Sequence, residues 1–271
     1  MVVASCSAEP GTLHRRAELS GEPSGSSFGL AFDGVDDTLR SIDSLGHGLS
    51  TAVTAEYWVM PSSRVWMKLL NVHNGENRDV DMEIRPDGHM YCTLYDQVGR
   101  NHGTTSTSIL TLGAWYHIAC SYDGSAQRVF VNGALEAQSA WVGQVQLDDA
   151  ITISGFESRF MHGVVDEFRL AASATYTSDF APPDHLELSA DTLALWRFDE
   201  GAGSLSADAS GNGHVAVLGA AGSGSAPEWV STPPRVHYGL QFDGTTDTLA
   251  SQSRLDFGLV PELTAEYWFR P

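Results

Sequence analysis

SSFGLAFDGVDDTLRSIDSLGHGLSTAVTAEYWVMP, residues 26–61, decides the fold, because the chain carries this stretch twice. Residues 236–271 read VHYGLQFDGTTDTLASQSRLDFGLVPELTAEYWFRP. The two align without a gap at an offset of 210, and 18 of 36 positions are identical. That period far exceeds the roughly 20–50 residues of a solenoid repeat. It fits a whole domain copied in tandem. The expected organisation is a Gly/Ser/Pro-rich leader over 1–25, one complete domain over 26–182, a connecting strand and glycine-rich loop over 183–235, and a truncated second copy over 236–271. On this reading the chain is a piece of a longer multidomain protein.

Working outward from the first copy, the chain is a succession of short strands. GLAFDG and TLRSI alternate apolar and polar residues, and TAEYWVMP, VWMKLLNV, DVDMEIRP, HMYCTLYD, WYHIACSY, QRVFVNG, AITISG and GVVDEFRLA continue the series. Turn signals separate them: Asp33-Gly34, Asn74-Gly75, Pro86-Asp87-Gly88, Asp123-Gly124 and Asn132-Gly133. Asn132-Gly133 predicts a tight hairpin, because a type I′ turn needs positive φ at both central residues. No segment sustains a 3.6-residue period between helix caps. Many short antiparallel strands predict an all-β, two-sheet sandwich or jelly roll. Pro182-Pro183 bars a helix or central strand across 173–190, which reads as a crossover. TLALWRF (192–198) reads as a strand that either closes the first sandwich or opens the second.

Composition bounds the function. Lys+Arg 15 against Asp+Glu 34 gives a net charge of −19, which argues against nucleic acid and anionic membranes as partners. The acidity reads as a solvated surface, with room for carboxylates that hold a hard cation such as Ca²⁺. No apolar run reaches the ~20 residues of a membrane span. Val3-Ala4-Ser5-Cys6 resembles the box before a bacterial lipoprotein cysteine, so Cys6 is either a lipid anchor or a chance cysteine in a leader. Cys92 and Cys120 lie in strand-like segments and are either an oxidised pair between neighbouring strands or two buried thiols.

GLAFDGVDDTL, TAEYWVMP, WYHIACSYDGSAQRVFVNGAL, GVVDEFRLA and LALWRFDEGAG, in that order, resemble the concanavalin A-like lectin/glucanase superfamily in its laminin-G-like jelly-roll branch. The resemblance covers residues 26–172 and, in the second copy, only the family's opening third. It implies two curved antiparallel sheets packed face to face, in an accessory module of a large secreted or surface protein. It also implies a structural Ca²⁺ in many members. The candidate ligands here are Asp33 and Asp37 of the FDG-x-x-D turn with Asp166 or Glu167 of the D-E-F-R strand, if the first and last strands are neighbours. Asp33 and Asp37 recur as Asp243 and Asp247, whereas Asp36 becomes Thr246. The alternative is that Asp33 only caps its turn.

Two further constellations bear on function. Asp79, Asp81 and Glu83 alternate along one strand and so share a face. They resemble the E-x-D-x-E strand of jelly-roll glucanases, but Asp stands where the first Glu is needed. The competing reading is the polar outer face of an edge strand. Sugar rings stack on aromatic faces, and Trp66 and Trp141 are the first candidates for that role, with Tyr91, Tyr95 and His102 beside them. Residues 96–108 read as a long polar loop suited to binding. His117 reads as a structural histidine. No phosphate-cradling glycine loop, zinc-spaced cysteine pair or nucleophile elbow is present. The expected role is non-catalytic recognition of a glycan or polysaccharide. The alternatives are an adhesive module with extracellular protein partners, or a hydrolase using Asp79, Asp81 and Glu83.

Overall fold

The computed structural model describes residues 28–73, 79–155, 157–219 and 225–232, and the backbone alone at 2–7, 27, 78 and 262–267. The chain divides into two compact units, Ser27–His237 and a smaller one from Met1–Ser26 with Tyr238–Pro271. In the smaller unit β1 (Val2–Ser7) pairs antiparallel with β20 (Glu262–Tyr267), Val2 opposite Tyr267 and Ser7 opposite Glu262. The rest of the second copy, with Asp243 and Asp247, lies outside the described residues, as does the side chain of Cys6.

The larger unit is all β, and no helix occurs among the described residues. Its strands are β2 (Ser27–Asp33), β3 (Leu39–Ser41), β4 (Leu49–Ser50), β5 (Val53–Pro61), β6 (Met67–His73), β7 (Arg78–Ile84), β8 (His89–Tyr95), β9 (Asn101–Ile109), β10 (Tyr116–Tyr122), β11 (Ala126–Val131), β12 (Ala134–Ala140), β13 (Val145–Gln146), β14 (Ile151–Ile153), β15 (His162–Ala171), β16 (Thr192–Trp196), β17 (Leu205–Ser206), β18 (Ala216–Leu218) and β19 (Glu228–Thr232). One sheet runs β12-β11-β10-β5-β15-β2-β19, with β16 also paired to β15. The facing sheet runs β17-β18-β3-β14-β6-β7-β8-β9. Each described pairing is antiparallel, which gives the two-sheet sandwich the sequence predicts.

Alternation places the core. On β5, Ala55, Tyr57 and Val59 point between the sheets; on β7, Val80, Met82 and Ile84 do; on β8, Met90, Cys92 and Leu94 do. Three ties cross the sandwich. Tyr57 donates its hydroxyl to the Leu69 carbonyl at 3.0 Å. Gln127 donates its side-chain N–H to the Cys92 carbonyl at 3.1 Å. Cys92 on β8 and Cys120 on β10 form a disulfide across a Cα separation of 6.2 Å. The bridge therefore joins facing sheets, not neighbouring strands. Asn132 and Gly133 both adopt positive φ (50° and 79°) between β11 and β12, which makes the predicted hairpin.

The outer face of β5 is sealed. Glu56 is fully buried and accepts hydrogen bonds from Arg169 Nε (2.5 Å), His117 Nε2 (2.9 Å) and Tyr176 Oη (2.9 Å). Burial works to raise its pKa, but these partners hold the carboxyl below its ordinary value. His117 is thus a structural histidine, held by Nε2 on Glu56, with no hydrogen-bond partner for its buried Nδ1 among the described residues. The crossover after β15 supplies Tyr176 and closes over this face, with Leu186 packed on Trp58. A bulge in β15 puts Glu167 at φ 48°, where its carboxylate receives the Leu186 N–H and pairs with His185, anchoring the crossover. TLALWRF closes the first sandwich: Phe168 of β15 lies opposite Trp196 of β16. Residues 183–235, read as a connection, supply β16, β17, β18 and β19 to the two sheets. Residues 101–109, read as loop, form edge strand β9.

Candidate functional site: a charged groove on the outer face of one sheet

The outer face of the second sheet is open where β5 is closed. An open groove of about 240 Å³ is lined by residues that include Trp66, Asp81, Glu83, Arg85, Tyr91 and Arg159. Strand periodicity puts them there. With Val80, Met82 and Ile84 inward, Asp81 and Glu83 must face outward, and Tyr91, Thr93 and Tyr95 do the same on β8. β7 lies inside its sheet, between β6 and β8. The edge-strand reading of its carboxylates is therefore corrected, and all three are buried rather than solvated.

Lys68 organises the groove floor. It comes from β6, where it is fully buried, and its ammonium lies 3.4 Å from Asp81 Oδ2 and in contact with Glu83 Oε1. Asp81 also accepts the Asn71 amide at 2.5 Å. Burial pushes the Asp81 carboxyl up, and Lys68 and Asn71 offset only part of that. Glu83 receives Trp66 Nε1 at 2.7 Å and Arg159 Nη1 at 2.7 Å. Burial opposes ionisation of Glu83 too, but Lys68, Trp66 and Arg159 outweigh it and hold its pKa low. Arg159 lies over the Trp66 ring at 4.6 Å, and Arg85 lies over Tyr91 at 3.8 Å and near Trp66 at 5.8 Å. Trp66 remains 38% exposed, so part of its ring is available to a ligand.

Asp79 belongs to a different environment. It is 1% exposed, with the Asp148 N–H and the Asp149 carboxyl beside its own carboxyl. Burial first, then the charges of Asp149 and Asp148 beside it, push its pKa up to about 8. Asp148 is held in place by Gly48 N–H (2.5 Å) and Gln146 Nε2 (2.8 Å). A hard cation there would offset the burial and the acidic neighbours that oppose ionisation of Asp79.

The FDG-x-x-D turn is differently employed. Asp33, Asp36 and Asp37 each bring an oxygen within 4.8 Å of the others. Asp33 Oδ1 accepts the Val35 N–H at 2.8 Å and the Asp36 N–H at 3.4 Å, and Asp37 Oδ2 accepts the Asp33 N–H at 2.8 Å. The Val35 N–H is the main reason the Asp33 carboxyl sits below its ordinary pKa. Asp37 also accepts the Ser225 hydroxyl. First and last strands are neighbours as expected, but the register sets His162, not Asp166, opposite Asp33. Asp166 stands four residues further along β15, about 13 Å away by strand rise, buried opposite Trp58.

Trp141 does not join the groove. It is 8% exposed and stacked between His102 (4.0 Å) and Tyr122 (3.9 Å), with Nε1 on Gln127. Of the two proposed tryptophans only Trp66 reaches the site. Sequence reasoning missed Lys68, Asn71, Arg85, Arg159 and the Asp148-Asp149 pair. One signal was available: a lone lysine inside the apolar run VWMKLLNV must either snorkel or meet buried acids.

Comparisons with known proteins agree on the architecture. A family model described as the concanavalin A-like lectin/glucanases superfamily matches residues 33–178. A solved Bacteroides ovatus protein, provisionally assigned as carbohydrate binding, superposes with a TM-score of 0.58 at 17% identity, over 83% of this chain and 68% of its own. Domains LG4-5 of the mouse laminin α1 chain superpose with a TM-score of 0.46 at 16% identity, over 62% and 52% of the two chains. A native heptameric SAP-like pentraxin from Limulus polyphemus gives 0.47 at 17%, over 56% and 78%. No curated protein sequence matches the chain. The repeated strands, the order of the sheets and the matched model, which spans more than half the sequence, place this chain in the concanavalin A-like lectin/glucanase superfamily.

Proposed function

We propose that the chain is a non-catalytic glycan-binding module of an extracellular or cell-surface protein. The observation that carries this reading is the groove beside Trp66 and Tyr91. It sets aromatic surface next to fixed donors and acceptors, the combination that sugar rings and their hydroxyls require. The cross-sheet disulfide supports an oxidising compartment. A calcium ion is part of the proposal, and two places suit it. The Asp33-Asp36-Asp37 turn has the acidic density, but its oxygens already receive backbone and hydroxyl donors. Asp79 with Asp149 is favoured, because Asp79 is buried and its acidic neighbours oppose its ionisation, which a cation would relieve.

The test is titration of a polysaccharide panel with the purified chain, with and without calcium. Binding that Trp66→Ala abolishes and Trp141→Ala spares, in variants that stay folded, supports the reading. A protein that binds no glycan while engaging an extracellular protein partner overturns it in favour of the adhesive alternative. A hydrolase using Asp81 and Glu83 is the second reading, favoured by the opposite directions in which their carboxyls are pushed. Against it, Lys68 sits between them and Glu83 is engaged by three cationic or N–H donors. Reducing-end release from a polysaccharide, lost in Glu83→Gln, would establish the hydrolase.

A further inference from the structure

We propose that the groove takes an acidic sugar, and that Arg85 is the residue that receives its carboxylate. This rests on reading the groove as the glycan site. Three cations stand in or under it, and two are already neutralised. Lys68 lies between Asp81 and Glu83, and Arg159 pairs with Glu83 (2.7 Å) and Glu157 (3.5 Å). Among the described residues no carboxylate pairs with Arg85. Aromatic faces hold it instead: Tyr91 at 3.8 Å and Trp66 at 5.8 Å. Its Nη1 reaches only Thr105 Oγ1 at 3.5 Å, and its buried Nε makes no hydrogen bond.

The geometry of a guanidinium explains why this matters. Stacking on a ring uses the flat face of the cation and leaves its in-plane N–H groups to other partners. A carboxylate matches that fork with two parallel hydrogen bonds. A ligand carboxylate on Arg85 would supply the acceptor that the described residues do not. Neighbouring Thr93, Tyr95 and Asn101 line the same groove and offer neutral partners for sugar hydroxyls.

The charge of the whole chain narrows the ligand class further. At −19 the protein repels a dense polyanion over about one Debye length, ~8–10 Å at physiological salt. The groove therefore suits a glycan in which an isolated uronate or sialate stands among neutral sugars.

The experiment is calorimetric titration with paired probes: sialyllactose against lactose, and xylotriose bearing one glucuronate against the same compound with its carboxylate reduced to the alcohol. The acidic member of at least one pair is expected to bind about tenfold or more tightly. Carboxyl reduction and Arg85→Met should each remove that preference, and together remove no more than either alone. The reduced probe makes the point on the unaltered protein, so it holds even if the variant folds poorly. Equal binding of acidic and neutral members, or a preference that survives in a folded Arg85→Met, overturns the proposal and leaves the glycan reading standing. Binding of no probe and no polysaccharide overturns both.

Discussion

The two outer faces of the sandwich carry similar chemistry and meet different fates. On β5, Glu56 is buried with Arg169, His117 and Tyr176; on β7, Asp81 and Glu83 are buried with Lys68, Asn71 and Arg159. Both are acidic residues brought outward by strand alternation and compensated by cations. The crossover after β15 covers the first, so its network only holds the fold together. Among the described residues nothing comparable closes the second, and Trp66, Arg85 and Tyr91 line a groove above it. What lies on top of a charge cluster, not the cluster itself, separates a structural network from a candidate site.

Breaking each network should show this difference at full size. Glu56→Ala leaves Arg169 and His117 without their buried acceptor and is expected to cost about 3–5 kcal/mol of unfolding free energy. Glu83→Ala keeps Asp81 beside Lys68 in a groove that water can enter, and should cost about 1–3 kcal/mol. Urea denaturation of both variants measures the gap, and equal losses would refute the contrast between a sealed and an open face.

The tryptophans sharpen the same comparison. Trp141→Ala empties a buried stack between His102 and Tyr122 and should cost about 3–5 kcal/mol. Trp66→Ala removes a ring that is 38% exposed, with an expected loss of about 1 kcal/mol or less and its main effect on ligand binding. Thermal unfolding and glycan titration on the same samples separate the two roles. A Trp66 variant as unstable as the Trp141 variant would make the groove a packing feature.

The effect expected at Asp79 depends on pH. Its folded pKa of about 8 lies above the unfolded value of 3.8. Without a cation, the folded chain keeps a proton that the unfolded chain releases. Stability from this group is therefore complete below about pH 4 and declines as pH rises toward 8. Asp79→Asn should flatten that decline and melt a few degrees higher than the unaltered protein at pH 7.5 in chelator. Calcium should raise the melting temperature of the unaltered protein and leave Asp79→Asn unmoved. A calcium response lost in Asp33→Ala but kept in Asp79→Asn would assign the ion to the FDG turn.

Much of this was legible in the chain before any coordinates. The period-2 runs, the turn residues and Asn132-Gly133 specify strands and hairpins locally, because φ restriction and side-chain alternation act over a few residues. Alternation likewise put Asp79, Asp81 and Glu83 on one face. Their neighbours were not legible. Lys68, Arg85 and Arg159 come from three different segments, and sequence spacing says nothing about which strands lie side by side. The same gap let Asp166 be placed near Asp33: adjacency of the strands was right, but the register sets it four residues away.

By itself, then, the sequence determined an antiparallel β sandwich and a duplicated stretch, since each follows from short-range stereochemistry or direct comparison of letters, whereas the strand aromatics Trp58, Trp115 and Phe130, which read as filling between the sheets, pack instead under the crossover. Tertiary structure alone decided that Trp66 is at a groove and Trp141 in the core. It alone joined Cys92 to Cys120 across the sheets, and among the described residues it left Arg85 without a carboxylate. These are outcomes of long-range packing, where burial and partner choice depend on residues far apart in the chain.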